Sequence, residues 1–375
     1  MKLVHFSDTH LGFSDYNKVD PETGINLREA DVYHAFARVI DYIINNPPDI
    51  VIHSGDLFDT HRPSNRAINI ALKEIAKISQ KQIPLVMISG NHSTPRVKTS
   101  GSIFEIFEIF DNVYPVYQSK YKEIIIKDAA LHCVPHMATE EELRKVFDNL
   151  KPNSKVKYNI IIAHMGVTAD VQYKMGEFNE LIIPYGVIKK KNNFDYIALG
   201  HYHKNLLLAD NCYYSGSTER FSFNEVGQDK GFIEVNLSQK KTVFIPLKVR
   251  EMIALESIDC RDLNINEIVK KVEQLITGKT LGSILQVTFD NIKKHQYAEL
   301  NFQKLRDLTK DAVHLKIICN WMSEKGKEST NTAIGTLSAE FESFIEHQDI
   351  KDLDKKKLKE LGINYLSITQ GAEEE

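Results

Sequence analysis

Short apolar runs, each closed by a small residue and then by polar side chains, recur along the first two-thirds of the 375-residue chain. Leu3 to Phe6 reads as a buried strand that ends in Ser7-Asp8-Thr9-His10. Arg28 to Asn45 has a helical apolar period and stops before Pro47-Pro48. Ile50 to Ser54 predicts the next strand, closed by Gly55-Asp56. Asn65 to Ser79 predicts a helix with Ile68, Ala71, Leu72, Ile75 and Ile78 on one face. Pro84 to Ile88 is a third strand, followed by Ser89-Gly90-Asn91-His92. Thr139 and Glu142 predict a capping box for a helix that ends near Asn149. Asn159 to Ala163 and Tyr196 to Leu199 read as strands ending at His164 and at Gly200-His201.

After His203 the pattern changes to short strands and turns at Leu206–Ala209, Tyr213–Ser215, Phe232–Asn236 and Val243–Pro246, which predicts a second sheet packed on the first. A boundary is expected near Leu247, giving an α/β domain over 1–247. Residues 248–322 alternate strand, helix, strand, helix and strand, as a small α+β domain would. Beyond Met322 two apolar sets, Leu337, Phe341, Phe344 and Ile345, then Leu353, Leu358, Leu361 and Leu366, predict amphipathic C-terminal helices over 323–375.

Composition narrows the class. With 42% apolar and 26% charged residues the chain can bury a core, so disorder is not expected. No stretch approaches the ~18–20 apolar residues of a membrane helix, and the N-terminus turns polar too early for a secretory signal. Cys133, Cys212, Cys260 and Cys319 are widely spaced, which points to buried free thiols and a cytoplasmic location. The net charge of −4 leaves any nucleic-acid contact to a local basic face. The densest basic run, Lys189-Lys190-Lys191, reads as a solvated loop.

Five clusters carry the candidate chemistry: Asp8-Thr9-His10, Gly55-Asp56, Gly90-Asn91-His92, His164, and Gly200-His201-Tyr202-His203. Singly, each has an ordinary explanation as a cap, a turn or one face of a strand. Each follows an apolar strand, however, and the carboxyl ends of strands are where α/β sheets assemble sites. Carboxylate, imidazole and amide-oxygen donors suit divalent Mn, Fe or Zn, and the lack of thiolates argues against structural zinc. Asp56, at a strand end, is the natural bridge between two cations. Charge balance agrees: Asp8 and Asp56 cancel half the charge of two divalent ions, and a phosphodiester plus a hydroxide match the rest.

As a set, these motifs resemble the calcineurin-like metallophosphoesterases, a family whose fold is a four-layer α/β/β/α sandwich. The resemblance implies that Asp8, His10, Asp56 and His203 hold one ion and that Asp56, Asn91, His164 and His201 hold the other. It also implies that His92 is catalytic rather than a ligand, stabilising the transition state at phosphorus or protonating the leaving oxygen. The family usually places an acidic residue after Asn-His, where this chain has Ser93. Turnover is therefore expected to be reduced, or His92 to be oriented by another acidic group.

Within that superfamily the chain looks like the DNA double-strand-break repair nucleases, the SbcD type and its relative the meiotic recombination eleven nuclease. The likeness extends over Leu11-Gly12, Tyr16-Asn17, Leu57-Phe58-Asp59, Arg62-Pro63-Ser64, Gly216-Ser217-Thr218-Glu219-Arg220 and Lys230-Gly231-Phe232, and the 248–322 unit resembles that family's DNA-capping domain. It implies manganese-dependent exonuclease and endonuclease activity on DNA. It further implies a homodimer through helices such as Asn65–Ser79 and Ser102–Phe110, and an SMC-like ATPase partner of the SbcC type docked on the C-terminal helices. Arg62, Arg96 and Arg220 are candidate phosphate contacts, and His61 lies in a loop near Asp56. His5, His53, His132 and His136 are expected in the core or behind the ligands. Two rival readings are a phosphatase or phosphodiesterase of small substrates on the same fold, and a DNA-tethering scaffold with weakened catalysis.

Overall fold

The computed structural model describes residues 1–94, 101–168 and 180–322, with helical residues 341, 345, 355–359 and 361–362. The chain divides into two compact units, Met1–Asn320 and Trp321–Glu375.

Numbered in chain order, the first sheet has a parallel core of β1 (Lys2–Phe6), β2 (Ile50–His53), β3 (Leu85–Ile88) and β4 (Val113–Val116). Helices α1 (Leu27–Asn45) and α2 (Asn65–Gln80) connect these strands, their N-termini capped by the side chains of Asn26 and Ser64. Antiparallel β13 (Gly231–Asn236) and β14 (Lys241–Pro246) complete the order β14-β13-β1-β2-β3-β4. The second sheet contains β5 (Lys122–Ile126), β6 (Ala129–Val134), β7 (Tyr158–His164), β10 (Tyr196–Gly200), β11 (Leu206–Ala209) and β12 (Cys212–Tyr214), ordered β11-β12-β10-β7-β6-β5. Helices α3 (Glu140–Asn149) and α4 (Tyr185–Lys189) accompany it, with a short pair formed by β8 (Gly166–Thr168) and β9 (Ile182–Pro184).

Strand alternation sorts the core into layers. Leu3, Ile50, Ile52 and Val86 of the first sheet pack on Leu131, Ile160, Ile162 and Ala198 of the second. On its other face the first sheet sets Val4, Val51 and Met87 against Val32, Phe36, Ala71 and Ile75 of α1 and α2. The second sheet buries Ile161, Ala163, Ile197 and Leu199 under Leu143, Phe147, Val187 and Ile188 of α3 and α4. The result is the α/β/β/α sandwich expected from the motifs.

Three features differ from the sequence reading. The strands after His203 do not build the second sheet by themselves: β11 and β12 extend it, while β13 and β14 return to cover the edge of β1. Phe232 enters one core and Ile233 and Val235 the other, so β13 fits only a strand with both faces buried. The sequence reading placed no strand at β5 or β6: Ile124-Ile125-Ile126 is a short β-branched run, but Ala129-Ala130-Leu131-His132-Cys133 after it lacks both alternation and β-branched residues. Finally, Lys191 is not part of a solvated loop; it is buried, and its Nζ donates to the Leu150 carbonyl at 3.0 Å. Its aliphatic stem allows that burial once the ammonium has an acceptor.

Residues 250–320 enclose a core of their own, with Ile268, Val272, Val287 and Phe289 at its centre. Here β17 (Ile284–Ile292) pairs with β15 (Met252–Ala254), β16 (Ile258–Asp259) and β18 (His314–Trp321), alongside α5 (Ile265–Ile276), α6 (Lys294–Glu299) and α7 (Phe302–Leu308). An arginine cluster ties this part to the sandwich. Arg250 donates to both oxygens of Asp31 on α1 at 2.5 and 2.7 Å, and Arg28 reaches the same carboxylate at 2.6 Å. Tyr16, in the loop after β1, stacks on His314 with ring centroids 4.2 Å apart.

Of the expected C-terminal helices, Phe341, Ile345, 355–359 and 361–362 are helical, and Ile345 is buried. Gly362 lies so close to the Phe341 ring that an added Cβ would sit 2.2 Å from it. Leu337, Phe344, Leu353 and Leu366 lie outside the described residues.

Candidate metal centre

The five clusters fall at the carboxyl ends of β1, β2, β3, β7 and β10, so the two sheets contribute to one site. Asp8, His10, Asp56, Asn91 and His92 come from the first sheet; His164, His201 and His203 come from the second. The turns that carry them are conformationally costly. Asp8 (φ 50°), His10 (φ 44°), Asp56 (φ 53°) and His201 (φ 104°) hold a backbone that non-glycine residues rarely adopt, at roughly 1–3 kcal/mol each. Cross-loop hydrogen bonds fix them, among them Asp8 N to Gly55 O at 3.0 Å and His10 N to Asp56 O at 3.1 Å. Gly55 has φ 109°, and a Cβ there would lie 2.1 Å from His164 Nδ1. Glycine is required because an imidazole from the opposite sheet occupies that space.

Asp8, His10 and His203 bring one donor atom each within 4.8 Å of one another, and so do Asp8, Asp56 and His164. His10 Nε2 stands 3.2 Å from His203 Nε2. His164 Nε2 is 3.0 Å from Asp56 Oδ2 and 2.9 Å from Asn91 Oδ1. His201 sends its main-chain N–H to Asp8 Oδ1 at 3.0 Å, and its ring lies 5.4 Å from that of His164. A third triad, His10, Asp59 and His92, adjoins these groups.

The electrostatics mark a place for cations. Burial alone would push Asp56 up, but His164, His92 and His10 hold its carboxyl well below the usual carboxylate range. Burial likewise opposes charge on His164, yet Asp56, Asp8 and the Ser54 carbonyl raise its pKa to about 9. A buried imidazole that keeps its proton signals uncompensated negative charge around it. At His203, the Nδ1 proton goes to Glu225, so its Nε2 lone pair faces the Nε2 of His10. The buried His10 Nδ1 makes no hydrogen bond and lies 3.3 Å from Asp59 Oδ1, off hydrogen-bond geometry. Converging lone pairs and two buried aspartates are a donor set that fits divalent cations.

The family profile for calcineurin-like phosphoesterases matches residues 1–205. The Mre11 DNA double-strand break repair protein of Thermoplasma acidophilum is 30% identical over 287 residues, 72% of this chain and 72% of that protein. The chain belongs to the calcineurin-like phosphoesterases, in their Mre11 family. The Methanocaldococcus jannaschii protein of the same description is 28% identical over 383 residues, covering 97% of this chain and 90% of that one. The Methanococcus maripaludis protein is 29% identical over 299 residues, 73% of each.

Behind the ligand-type side chains of this Mre11-family site stand groups that no motif announced. Glu225 Oε1 takes His203 Nδ1 at 3.0 Å, and Lys230 Nζ meets Glu225 Oε2 at 2.5 Å while donating to the His203 carbonyl at 2.8 Å. Glu180 Oε1 lies 3.1 Å from His201 Nε2. His164 Nδ1 donates to the Ser54 carbonyl at 3.0 Å, directing Nε2 inward. Glu225 and Glu180 are distant in sequence from their histidines' motifs, so spacing alone could not reveal them. Lys230 had surfaced only as part of the family likeness.

His92 is oriented, but not by the residue after it. Its Nδ1 donates to the main-chain carbonyl of Asp59 at 2.7 Å, and its N–H donates to Asp56 Oδ1 at 3.0 Å. Ser93 is fully buried, and its hydroxyl makes no hydrogen bond. The expected acidic group is therefore replaced by a peptide oxygen that belongs to an aspartate. Among the candidate phosphate contacts, Arg62 is exposed in the loop after β2, and Arg96 lies outside the described residues. Arg220 donates to the carbonyls of Arg250 at 3.1 Å and Gln228 at 2.8 Å, at the junction with residues 250–320. His5 bonds Tyr196 and Ser54, His53 bonds Thr9, and His132 bonds Tyr121; burial lowers both His5 and His53 to about 3. His61 is exposed and His136 is buried.

Proposed function

We propose that the protein is a dinuclear-metal DNA nuclease of double-strand-break repair, hydrolysing phosphodiesters with manganese as the preferred ion. The convergence of side chains from five strand ends of two sheets on one buried, negatively charged point carries this reading. Asp8, His10, Asp56 and His203 would hold one ion, and Asp56, Asn91, His164 and His201 the other. Bound there, the pair would supply an activated water and neutralise charge on the oxygens of an in-line displacement. His92, anchored through Nδ1 to the Asp59 carbonyl, would act on the scissile phosphate or the leaving oxygen. Arg62 is proposed to bind phosphate, and residues 248–322 to present DNA.

The names and similarity of the Mre11 relatives support DNA as substrate. A homodimer through α2 and the 3-10 helix Ile103–Ile109 belongs to this reading, and on the 3-10 helix Ile109 is 75% exposed. We assign the segment after residue 322 to docking an SMC-like ATPase, and the whole to the cytoplasm. Among the described residues, no helix is long and apolar enough to cross a membrane.

The test is cleavage of end-labelled linear DNA with manganese, magnesium or chelator, beside a generic phosphomonoester. DNA shortening with manganese and not with chelator is expected. Turnover of the phosphomonoester with no DNA cleavage would instead assign the site to small substrates.

A further inference from the structure

Next to the metal centre lies an open cavity of about 1270 Å³ that reaches Ser89 and Asn91 at its inner end. It sits at the carboxyl ends of β3, β4 and β6, so it continues along the same rim of the sandwich that carries the candidate ligands. Sites for one small ligand typically occupy roughly 300–1,000 Å³, so this volume suits something longer.

We propose that this cavity is the path of a single nucleic-acid strand to or from the metal centre. The idea rests on the nuclease reading above. Three lysines line the cavity: Lys120 in the turn between β4 and β5, Lys145 on α3, and Lys151 just after α3. All three are exposed, and none makes an ion pair among the described residues. Most other lining groups are neutral. Of the two lining carboxylates, Glu105 caps the 3-10 helix by accepting the Ser102 N–H at 3.3 Å, and Glu142 is the second. Cationic groups therefore outnumber the free carboxylates where the cavity opens.

Tyr121 supplies the second feature of a strand path. It and Tyr117 line the cavity, and Tyr121 is 38% exposed although its hydroxyl is held by His132 at 2.8 Å. Tyr117 is part-buried against Phe104, so Tyr121 is the ring, held at its hydroxyl and part-exposed, that can stack with an unpaired base. Ammonium groups beside it can follow the phosphates, a combination that binds single strands with little sequence preference. A duplex keeps its base faces inside and gains nothing from such a ring. The continuity with Asn91 means that a strand lying here has one end at the candidate reaction centre.

Binding of a fluorescent oligothymidylate to the full chain in chelator, read by anisotropy across salt concentrations, tests this without needing catalysis. The variant K120Q/K145Q/K151Q changes only exposed side chains. It is expected to bind at least about tenfold more weakly, with a log–log salt slope smaller by about 2, since each single-strand phosphate contact contributes ~0.7. Tyr121→Ala should weaken binding several-fold with the slope unchanged. Manganese-supported hydrolysis of bis(p-nitrophenyl) phosphate should be the same in all three proteins. Equal affinity and slope in wild type and triple variant would overturn the proposal. So would an equal loss of blunt-duplex binding, which would make the lysines a general basic surface. Failure of the wild type to hydrolyse either DNA or the small diester would strike the nuclease reading instead.

Discussion

His203 and Glu225 form a hydrogen bond of 3.0 Å between Nδ1 and Oε1, and the other carboxylate oxygen carries the Lys230 ammonium at 2.5 Å. A ligating imidazole held by a carboxylate has its tautomer fixed and its basicity raised. Glu225→Ala should therefore weaken manganese binding about 10–100-fold, as measured by calorimetric titration. Unchanged affinity would show that His203 needs no such support.

The same carboxylate sets a pH dependence. Burial by itself would raise Glu225, but His203 and Lys230 bring it down from the ordinary 4.5 to about 2. A depressed pKa gives stability that is complete above 4.5 and is lost as pH falls from there toward 2. In chelator, the gap in melting temperature between wild type and Glu225→Gln should be constant from pH 7 to 5 and shrink below 4.5. A gap that persists unchanged to pH 3 would contradict the ion pair.

For Ser93, the structure reverses a natural engineering idea. Its hydroxyl is buried without a hydrogen bond, while His92 already has a partner in the Asp59 carbonyl. Ser93→Ala is expected to leave turnover unchanged and stability equal or higher by up to about 1 kcal/mol. Ser93→Asp should lower the melting temperature without raising turnover, because a carboxylate would be buried unpaired. Faster DNA cleavage by Ser93→Asp would reinstate the missing acid as the limiting feature.

His92 should separate chemistry from metal loading. With Nδ1 anchored to main chain, His92→Gln is expected to lose about 10²–10⁴ in kcat and to keep its manganese content. Loss of metal in that variant would make His92 a ligand.

Gly55→Ala tests the packing of the two sheets at the site. A Cβ 2.1 Å from the His164 ring, on a backbone with φ 109°, should destabilise the fold by about 2–6 kcal/mol. Chemical denaturation would show it. A change below about 1 kcal/mol would mean the loop relaxes freely.

Much of this was legible before any coordinates. Each ligand-type cluster follows a strand that the apolar pattern located, since Leu3–Phe6, Ile50–Ser54 and Tyr196–Leu199 are short, apolar and bounded by small residues. Gly55 and Gly90 were visible for the same reason. Pairing across long separations was not legible. Whether β13 joins β1 or the second sheet depends on which edge remains open, a property of the assembled layers. Glu180 and Glu225 act through contacts set by folding, 21 and 22 residues from their histidines, and carry no local pattern. Arg220 reads as a candidate phosphate contact because it is basic and closes the family-like run Gly216-Ser217-Thr218-Glu219-Arg220; in space its guanidinium donates to carbonyls at a junction.

The pairing of Leu3 with Val235 has a consequence for biosynthesis. The strand that presents Asp8 leaves the ribosome well before β13 and acquires its outer neighbour only after some 230 further residues have been made. Until then it exposes an unpaired rim, the kind of surface on which nascent chains adhere to one another. Assembly of the centre is therefore a late event in translation, and slowing synthesis before β13 should lengthen the interval in which the chain depends on chaperones.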